Sequence, residues 1–494
     1  MQRLPANVRS ALMSDAAPAS QLNIKRWTIR ALAHMNITVP ALDAASDAVA
    51  ATAATRPPIS PSYDSKRRKE PPRADVAEIL MKDIKLRLAG QLGRTLEMIQ
   101  QAEDTLGVSD DGGNKSIERN EQNQPKVIRA INQNVRLSPK EQMEYETQSQ
   151  REKKSALKNL SDLEALHTGT YCLIHDLLDN GAPTLRRFSH ADASVVAATF
   201  ESVRSRHAMS VELMADTVIA LRRARSLRAG IGLTPAGQFC GIDLALIGEF
   251  LRKRLGIQLL CDHYVALDKG KPNGGISINC DLFEVVGDAV DEAKSVCDAN
   301  LGVAPDAIVL YGMEGIGMDD LSLELCSLVG DSLRVSGYDR ITLTLIRPWL
   351  HHALVEILKN AFASSVQKAD DCQDDSFPSD VFVRIVDGTK FVSIIVMDQG
   401  VGLSDDGMKR TFRFAESSSL KRWDRIEEQT SYAMVRQPLG SLGVGLPLSR
   451  MMMGLFGGDV LISNRAEGDG LSSGCTAIIK IPKDDQILEQ TRGV

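Results

Sequence analysis

The apolar spacing of this chain changes once, near Gly270, and that switch constrains the fold more than any other feature. Before it, apolar residues recur every fourth position. Leu80, Ile84, Leu88, Leu92 and Leu96 would form one stripe on a helix. The same period returns over residues 157–178, 191–224 and 244–267. Four amphipathic helices with no strand signal between them predict an N-terminal four-helix bundle over residues 74–268. The polar stretch 104–150, with Gly112-Gly113, reads as a surface insertion in that bundle. After Gly270, short β-like runs occupy 276–278, 307–311, 341–346, 381–386, 391–397 and 476–481. Helical segments intervene at 282–301, 350–366 and 445–456, and Asp387-Gly388 marks a tight turn. This alternation predicts an α/β sandwich over 270–484, followed by a tail at 485–494.

Composition narrows the function classes. The 494 residues carry 58 Lys plus Arg against 64 Asp plus Glu, a net charge of −6, and only 4% aromatics. Mild acidity argues against a broad phosphate-backbone footprint, and scarce aromatics argue against base stacking, so no nucleic-acid partner is expected. No apolar run approaches the ~18 residues of a transmembrane segment. The eight cysteines form no C-x-x-C pair, which argues against zinc, a thioredoxin motif and a disulfide frame.

Residues 1–42 are basic (Arg3, Arg9, Lys25, Arg26, Arg30), hydroxyl-bearing and nearly acid-free, with Leu4, Val8 and Leu12 on one helical face. That is the composition of a mitochondrial transit peptide. An Ala- then Pro-rich stretch follows, so residues 1–73 read as presequence and linker; Lys66-Arg67-Arg68-Lys69 within it reads as solvated linker.

Three segments of the α/β half carry chemistry. In His352-Ala-Leu-Val-Glu356-Ile-Leu-Lys-Asn360, residues 352, 356 and 360 share one helix face. Asn360 offers a neutral oxygen to a hard divalent cation, Glu356 could take a proton from an attacking hydroxyl, and His352 could tune or orient Glu356. In Asp398-Gln-Gly400-Val-Gly402, directly after a β-like run, a carboxylate could accept from an adenine amino group. In Gly440-Ser441-Leu442-Gly443-Val444-Gly445-Leu446, glycines precede a helix, and its backbone N–H groups could cradle a triphosphate. Neither a G-x-x-x-x-G-K-[ST] loop nor a V-A-I-K strand is present.

In this order and spacing the segments resemble the GHKL ATPase superfamily, which includes gyrase, Hsp90, MutL and histidine kinases. Glu356–Asn360 resembles its N box, Asp398–Gly402 its first glycine box and Gly443–Gly445 its second. Residues 403–442 would form an ATP lid, and Gly474-Cys475-Thr476 resembles the closing strand motif. Phe250-Leu-Arg-Lys-Arg254-Leu-Gly-Ile257, Cys261-Asp-His263, Arg206-His207, His352 before Glu356, and Leu446-Pro-Leu-Ser-Arg450 narrow the resemblance. They are similar to the mitochondrial pyruvate dehydrogenase and branched-chain ketoacid dehydrogenase kinases.

The resemblance implies a serine kinase that inactivates the E1 α-subunit of a 2-oxoacid dehydrogenase complex in the mitochondrial matrix, pyruvate dehydrogenase before the branched-chain complex. It implies Glu356 as general base with His352 in support, Mg²⁺ on Asn360, and adenine read by Asp398. ATP would also contact Gly400, Gly402, Leu403, Ser417, Ser418, Gly440, Ser441, Leu442, Gly443, Val444, Gly445, Leu446 and Thr476. It further implies a bundle that docks the lipoyl domain of the E2 core, and a homodimer. The chain departs from the family pattern at Ala363, Val401, Ser441, Leu442 and Val444, and lacks an Asp-Trp pair near its C-terminus. Two other readings stay open: a histidine kinase using His207, and a non-catalytic ATP-binding regulator.

Overall fold

A computed structural model describes residues 6–17, 26–35, 74–106, 139–181, 190–228, 242–313, 340–372, 377–416, 443–465 and 473–490. The 66–69 basic run, residues 107–138 of the expected insertion and most of the expected lid, 417–442, lie outside them.

The first half is helical. Short helices α1 (Ala6–Ala16) and α2 (Ile29–Ala33) precede α3 (Ala74–Leu106), α4 (Pro139–Gly181), α5 (His190–Arg206), α6 (Ser210–Arg228) and α7 (Leu244–Asp268). The stripe predicted on α3 is the buried one: Leu80, Ile84, Leu88 and Leu92 face the core. Helix α4 packs on α3 and α6, and α7 packs on α3 and α5. Helix α4 begins at Pro139, so the last dozen residues of the expected insertion extend a helix.

The single helix expected over 191–224 is two, broken at residues 207–209. The cause is tertiary. The His207 carbonyl accepts from Ser210 Oγ (2.7 Å) and from Arg254 Nη2 (3.0 Å), and Arg254 Nε donates to Ser210 Oγ (2.6 Å). Those side-chain donors replace the intrahelical partners that a continuous helix would supply.

The stretch whose composition reads as a presequence is packed into the fold. Val8 and Leu12 of α1 and Trp27 join the core around α3, each side chain gaining roughly 1.5–3 kcal/mol by burial. Tyr171 donates to Asp15 (2.6 Å), and Trp27 Nε1 donates to Asp83 (3.0 Å). The C-terminal segment meets the same place: Glu489 N donates to the Trp27 carbonyl (2.7 Å). Arg87 grips the Glu489 carboxylate with both terminal nitrogens, 2.6 and 2.7 Å, and gives its Nε to Asp83.

The second half is α/β. Strand β1 (Ser277–Asp281) pairs antiparallel with β3 (Thr342–Leu345). The main sheet contains β2 (Ala307–Met313), β4 (Val381–Asp387), β5 (Phe391–Met397), β6 (Asp459–Arg465) and β7 (Gly474–Pro482), in the order β2-β4-β5-β7-β6. Among the described strands, only β2 and β4 run parallel. Helices α8 (Leu282–Leu301), α9 (Arg347–Cys372) and α11 (Gly445–Gly454) accompany this sheet, with the short α10 (Asp405–Arg410) after β5. Alternate residues of β4 and β5, such as Val383, Ile385, Val392 and Ile394, meet Leu354, Leu358 and Phe362 of α9 in one apolar cluster. The turn at Asp387-Gly388 is formed, with Gly388 N donating to the Phe391 carbonyl. Every predicted β-like run falls on a strand; β6 is the described strand that apolar patterning did not expose, because Asp459, Ser463, Asn464 and Arg465 are four of its seven residues. Among the described residues no helix is long and apolar enough to cross a membrane, and no cluster of His, Cys, Asp and Glu could hold a metal ion.

Candidate nucleotide site

Helix α9 is two-sided. Ala353, Leu354, Ile357, Leu358, Ala361 and Phe362 face the sheet. The opposite stripe runs His352, Glu356, Asn360, Ser364, Lys368, one residue per turn and two turns longer than the triad predicted from sequence. Three of its members, Glu356, Ser364 and Lys368, each meet a different part of the site.

The Glu356 carboxylate is 15% exposed and receives Lys359 Nζ at 2.5 Å. It lies against the start of α11: a Cβ on Gly445 would fall onto Oε2, so the glycine leaves room for the carboxylate in this position. Val444, the residue before α11, makes no side-chain capping bond, so the first N–H groups of that helix get no acceptor from their own N-cap residue. Asn360 is exposed and gives Nδ2 to the Glu356 carbonyl (2.8 Å), which turns its carbonyl oxygen outward. A neutral outward oxygen one turn from a carboxylate fits a hard cation that also touches phosphates. Ser364 Oγ accepts from Val401 N (3.1 Å) and packs against Gly400; Lys368 donates to the Ser473 carbonyl (3.2 Å).

His352 makes no hydrogen bond to Glu356; its Nε2 is buried without a partner among the described residues. Burial pushes its pKa down, with Glu356 opposing that shift, so the ring is neutral at pH 7. Lys359, not His352, holds the Glu356 carboxylate.

Asp398 follows β5 and is 5% exposed. Its N–H donates to the Cys475 carbonyl, and its Oδ1 accepts from Gly400 N (2.9 Å) and Cys475 N (3.1 Å). Burial raises its pKa, and these two N–H bonds hold the shift back. Gly402 has a φ of 71° and leads to Leu403, whose N–H and carbonyl are both clasped by the Asn464 amide (2.9 and 2.6 Å). Arg465 donates to the Asp398 carbonyl at 2.6 Å. Asn464 and Arg465 belong to β6, the strand missed from sequence, and so were missed with it. Thr476 is half-buried in β7, paired between Met397 and Ser463; it is Cys475 that adjoins Asp398.

Gly443 has a φ of 72°, and its carbonyl accepts from Ala415 N (3.0 Å). Ala415 holds a left-handed φ of 56°, a conformation that costs a residue with a Cβ roughly 1–2 kcal/mol. Leu446 lies in the first turn of α11. Ser417, Ser418, Gly440, Ser441 and Leu442 lie outside the described residues. His207 is 3% exposed within the helical half, its Nε2 2.9 Å from Thr170 Oγ1. Burial, with Arg254 and Arg206, pushes its pKa down to about 4.

The structure thus joins the three motifs: Glu356 to the α11 N-terminus, Ser364 to the turn after Asp398, and Asp398 to the start of β7. A helix N-terminus not capped by its own N-cap side chain, an exposed amide and a carboxylate suit the binding and transfer of a phosphoryl group.

Residues 346–485 match the family described as histidine kinase-, DNA gyrase B-, and HSP90-like ATPase. The chain is also similar to mitochondrial [pyruvate dehydrogenase (acetyl-transferring)] kinase of Arabidopsis thaliana, 25% identical over 268 residues, 53% of this chain and 62% of the relative. A relative from Caenorhabditis elegans, named as a probable kinase of the same kind, is 26% identical over 293 residues, 57% of this chain and 61% of its own. Isozyme 1 of Mus musculus is 23% identical over 278 residues, 53% of this chain and 57% of its own. The chain therefore spans about three fifths of the length of these relatives. Residues 346–485 therefore match the histidine kinase-, DNA gyrase B-, and HSP90-like ATPase family, in a chain about half of which is similar to mitochondrial pyruvate dehydrogenase kinases.

Proposed function

We propose that the chain is an ATP-dependent protein serine kinase of the mitochondrial matrix that phosphorylates, and so inactivates, the E1 α-subunit of the pyruvate dehydrogenase complex. The observation that carries this reading is the convergence of Glu356 on the N-terminus of α11 at Gly445, with Asn360 one turn further along α9. In this reading Asp398 accepts from the adenine amino group, and the turn Gly400–Leu403, held by Ser364 and Asn464, lies along the nucleotide. The N–H groups of Val444, Gly445 and Leu446 receive phosphate oxygens. Asn360 would hold Mg²⁺, which neutralises charge on the phosphates when bound. Glu356 accepts the proton of the incoming serine hydroxyl, and Lys359 fixes the carboxylate for that contact. His352 supports the floor of the site as a neutral ring. The names of the similar proteins favour pyruvate dehydrogenase over the branched-chain complex. The same reading makes the helical half a bundle that docks the lipoyl domain of E2, and the active kinase a homodimer. A phosphohistidine mechanism through His207 has no support in a ring that is buried and bonded to Thr170.

The test is transfer of γ-labelled phosphate from Mg-ATP in reconstituted pyruvate and branched-chain dehydrogenase complexes. Acid-stable label on the pyruvate E1 α-subunit is expected. Glu356→Gln should cut the rate by ~10²–10⁴-fold while keeping ATP affinity. Label on the branched-chain subunit alone would reassign the substrate, and undiminished turnover in Glu356→Gln would remove the base.

A further inference from the structure

The phosphate end of the nucleotide site is tied to the helical half at one side chain. Arg222 of α6 gives Nη1 to the Ala415 carbonyl (2.5 Å) and Nη2 to the Phe414 carbonyl (3.1 Å). Its Nη2 also lies 3.3 Å from Glu416 Oε1. One guanidinium therefore holds three consecutive residues, 414–416, through two main-chain oxygens and a carboxylate. Its planar fork can do this, and an ammonium cannot.

Those three residues are where the glycine turn rests. Ala415 N donates to the Gly443 carbonyl, and a Cβ on Gly443 would strike the Glu416 main chain. Gly443 lies two residues before α11 begins. Ala415 holds its left-handed φ with its side chain 1% exposed. Phe414, Ala415 and Leu448 of α11 sit in the same apolar cluster as Val218 and Leu221 of α6. A strained residue keeps an unfavourable backbone only while its surroundings impose it. Here the imposing groups are Arg222 on one side and Gly443 on the other.

We infer that Arg222 is a positioning residue for nucleotide binding: from the helical half, it fixes Ala415 and through it the Gly443 turn that sets the α11 N-terminus. This rests on the reading of that N-terminus as the phosphate site. Without the guanidinium, Ala415 relaxes toward ordinary backbone, its bond to Gly443 is lost, and the N–H groups at residues 444–446 no longer converge.

The experiment uses the full chain and measures Mg-ATP affinity together with hydrogen exchange of the Ala415 amide. Arg222→Ala should weaken Mg-ATP binding about tenfold, or about 1.4 kcal/mol, and speed exchange at Ala415. Arg222→Lys, with charge but no fork, should restore part of both, and it serves also if the alanine variant does not fold. Glu416→Gln, which leaves the two carbonyl bonds, should cost about threefold. Lys269→Ala, which breaks an exposed pair with Glu201, should change neither readout. In kinase assays the KM for ATP should rise while the KM for the protein substrate holds. Unchanged Mg-ATP affinity or unchanged Ala415 exchange in folded Arg222→Ala overturns the inference while the nucleotide reading stands. A wild-type chain that binds no Mg-ATP overturns both.

Discussion

Two acid–base arrangements, one in each half of the molecule, use similar groups to opposite ends. In the helical half, Arg87 is 2% exposed and its three bonds to Glu489 and Asp83 occupy all three guanidinium nitrogens. Burial alone would lower the pKa of that guanidinium, yet it is raised, because the two carboxylates outweigh the desolvation. In the α/β half, Lys359 engages one oxygen of Glu356, and the other faces the start of α11. The first cluster is closed and joins the two ends of the described chain to α3. The second is open on the side where a phosphate would sit. The difference is one of saturation: the donors of Arg87 are all used, whereas one oxygen of Glu356 is left for another partner, as the proposed role of Glu356 requires.

The largest effect should come from opening the closed cluster. Glu489→Ala leaves Arg87 buried without its main partner and should destabilise the chain by ~3–5 kcal/mol, read from the denaturant midpoint. Replacing all three charged groups, Arg87→Met with Glu489→Leu and Asp83→Asn, should recover much of that loss, since no orphan charge remains and the amide at position 83 can still accept from Trp27. If Glu489→Ala costs under ~1 kcal/mol, the closed cluster is no more structural than a surface pair, and the comparison fails.

Next comes acid. His207 and His263 are held neutral by burial, with pKa values of about 4, and burial also pushes His167 well below the ordinary histidine value. In the unfolded chain each would titrate near the ordinary histidine value of about 6.5. Below that value the unfolded chain binds protons that the folded chain refuses, so stability falls as pH falls toward 4. Each ring should contribute a slope of up to ~1.4 kcal/mol per pH unit. Melting temperatures between pH 7.5 and 5 should show it, and His207→Gln should remove one proton equivalent of that slope. A curve flat down to pH 5 would mean that the helical half admits water to these rings and is not the sealed region that the comparison requires.

Legibility from sequence followed the same divide. The spacing of Leu80, Ile84, Leu88 and Leu92 identified the buried face of α3, and the run 391–397 coincides with β5. The three site motifs were visible because each is local: helix spacing, a strand end, glycines before a helix. The break in the third expected helix was not visible, since it depends on Arg254, nearly fifty residues away. Nor was the packing of Val8 and Trp27, because a basic amphipathic segment reads as an address until its partners, Asp83 and Glu489, are in place. Asn464 hid in a strand whose polar residues blur the alternation. Ser364 was within reach: it continues the spacing of His352, Glu356 and Asn360 by one more turn.

That residue supplies the smallest and sharpest test of the open cluster. Ser364 Oγ is the acceptor for Val401 N, which is exposed. When Ser364→Ala removes the acceptor, water can take its place, so the net loss should stay near ~1 kcal/mol rather than the cost of a buried orphan. The methyl of alanine also leaves Gly400 less tightly seated. The turn after Asp398 should then loosen without moving Glu356, two turns away on α9 and fixed by its own lysine. Kinetics should separate these: the KM for ATP should rise several-fold while kcat stays within about twofold. A fall in kcat with KM unchanged would mean that Ser364 acts on the reacting end of the stripe, and that its successive turns are one coupled unit rather than separate anchors.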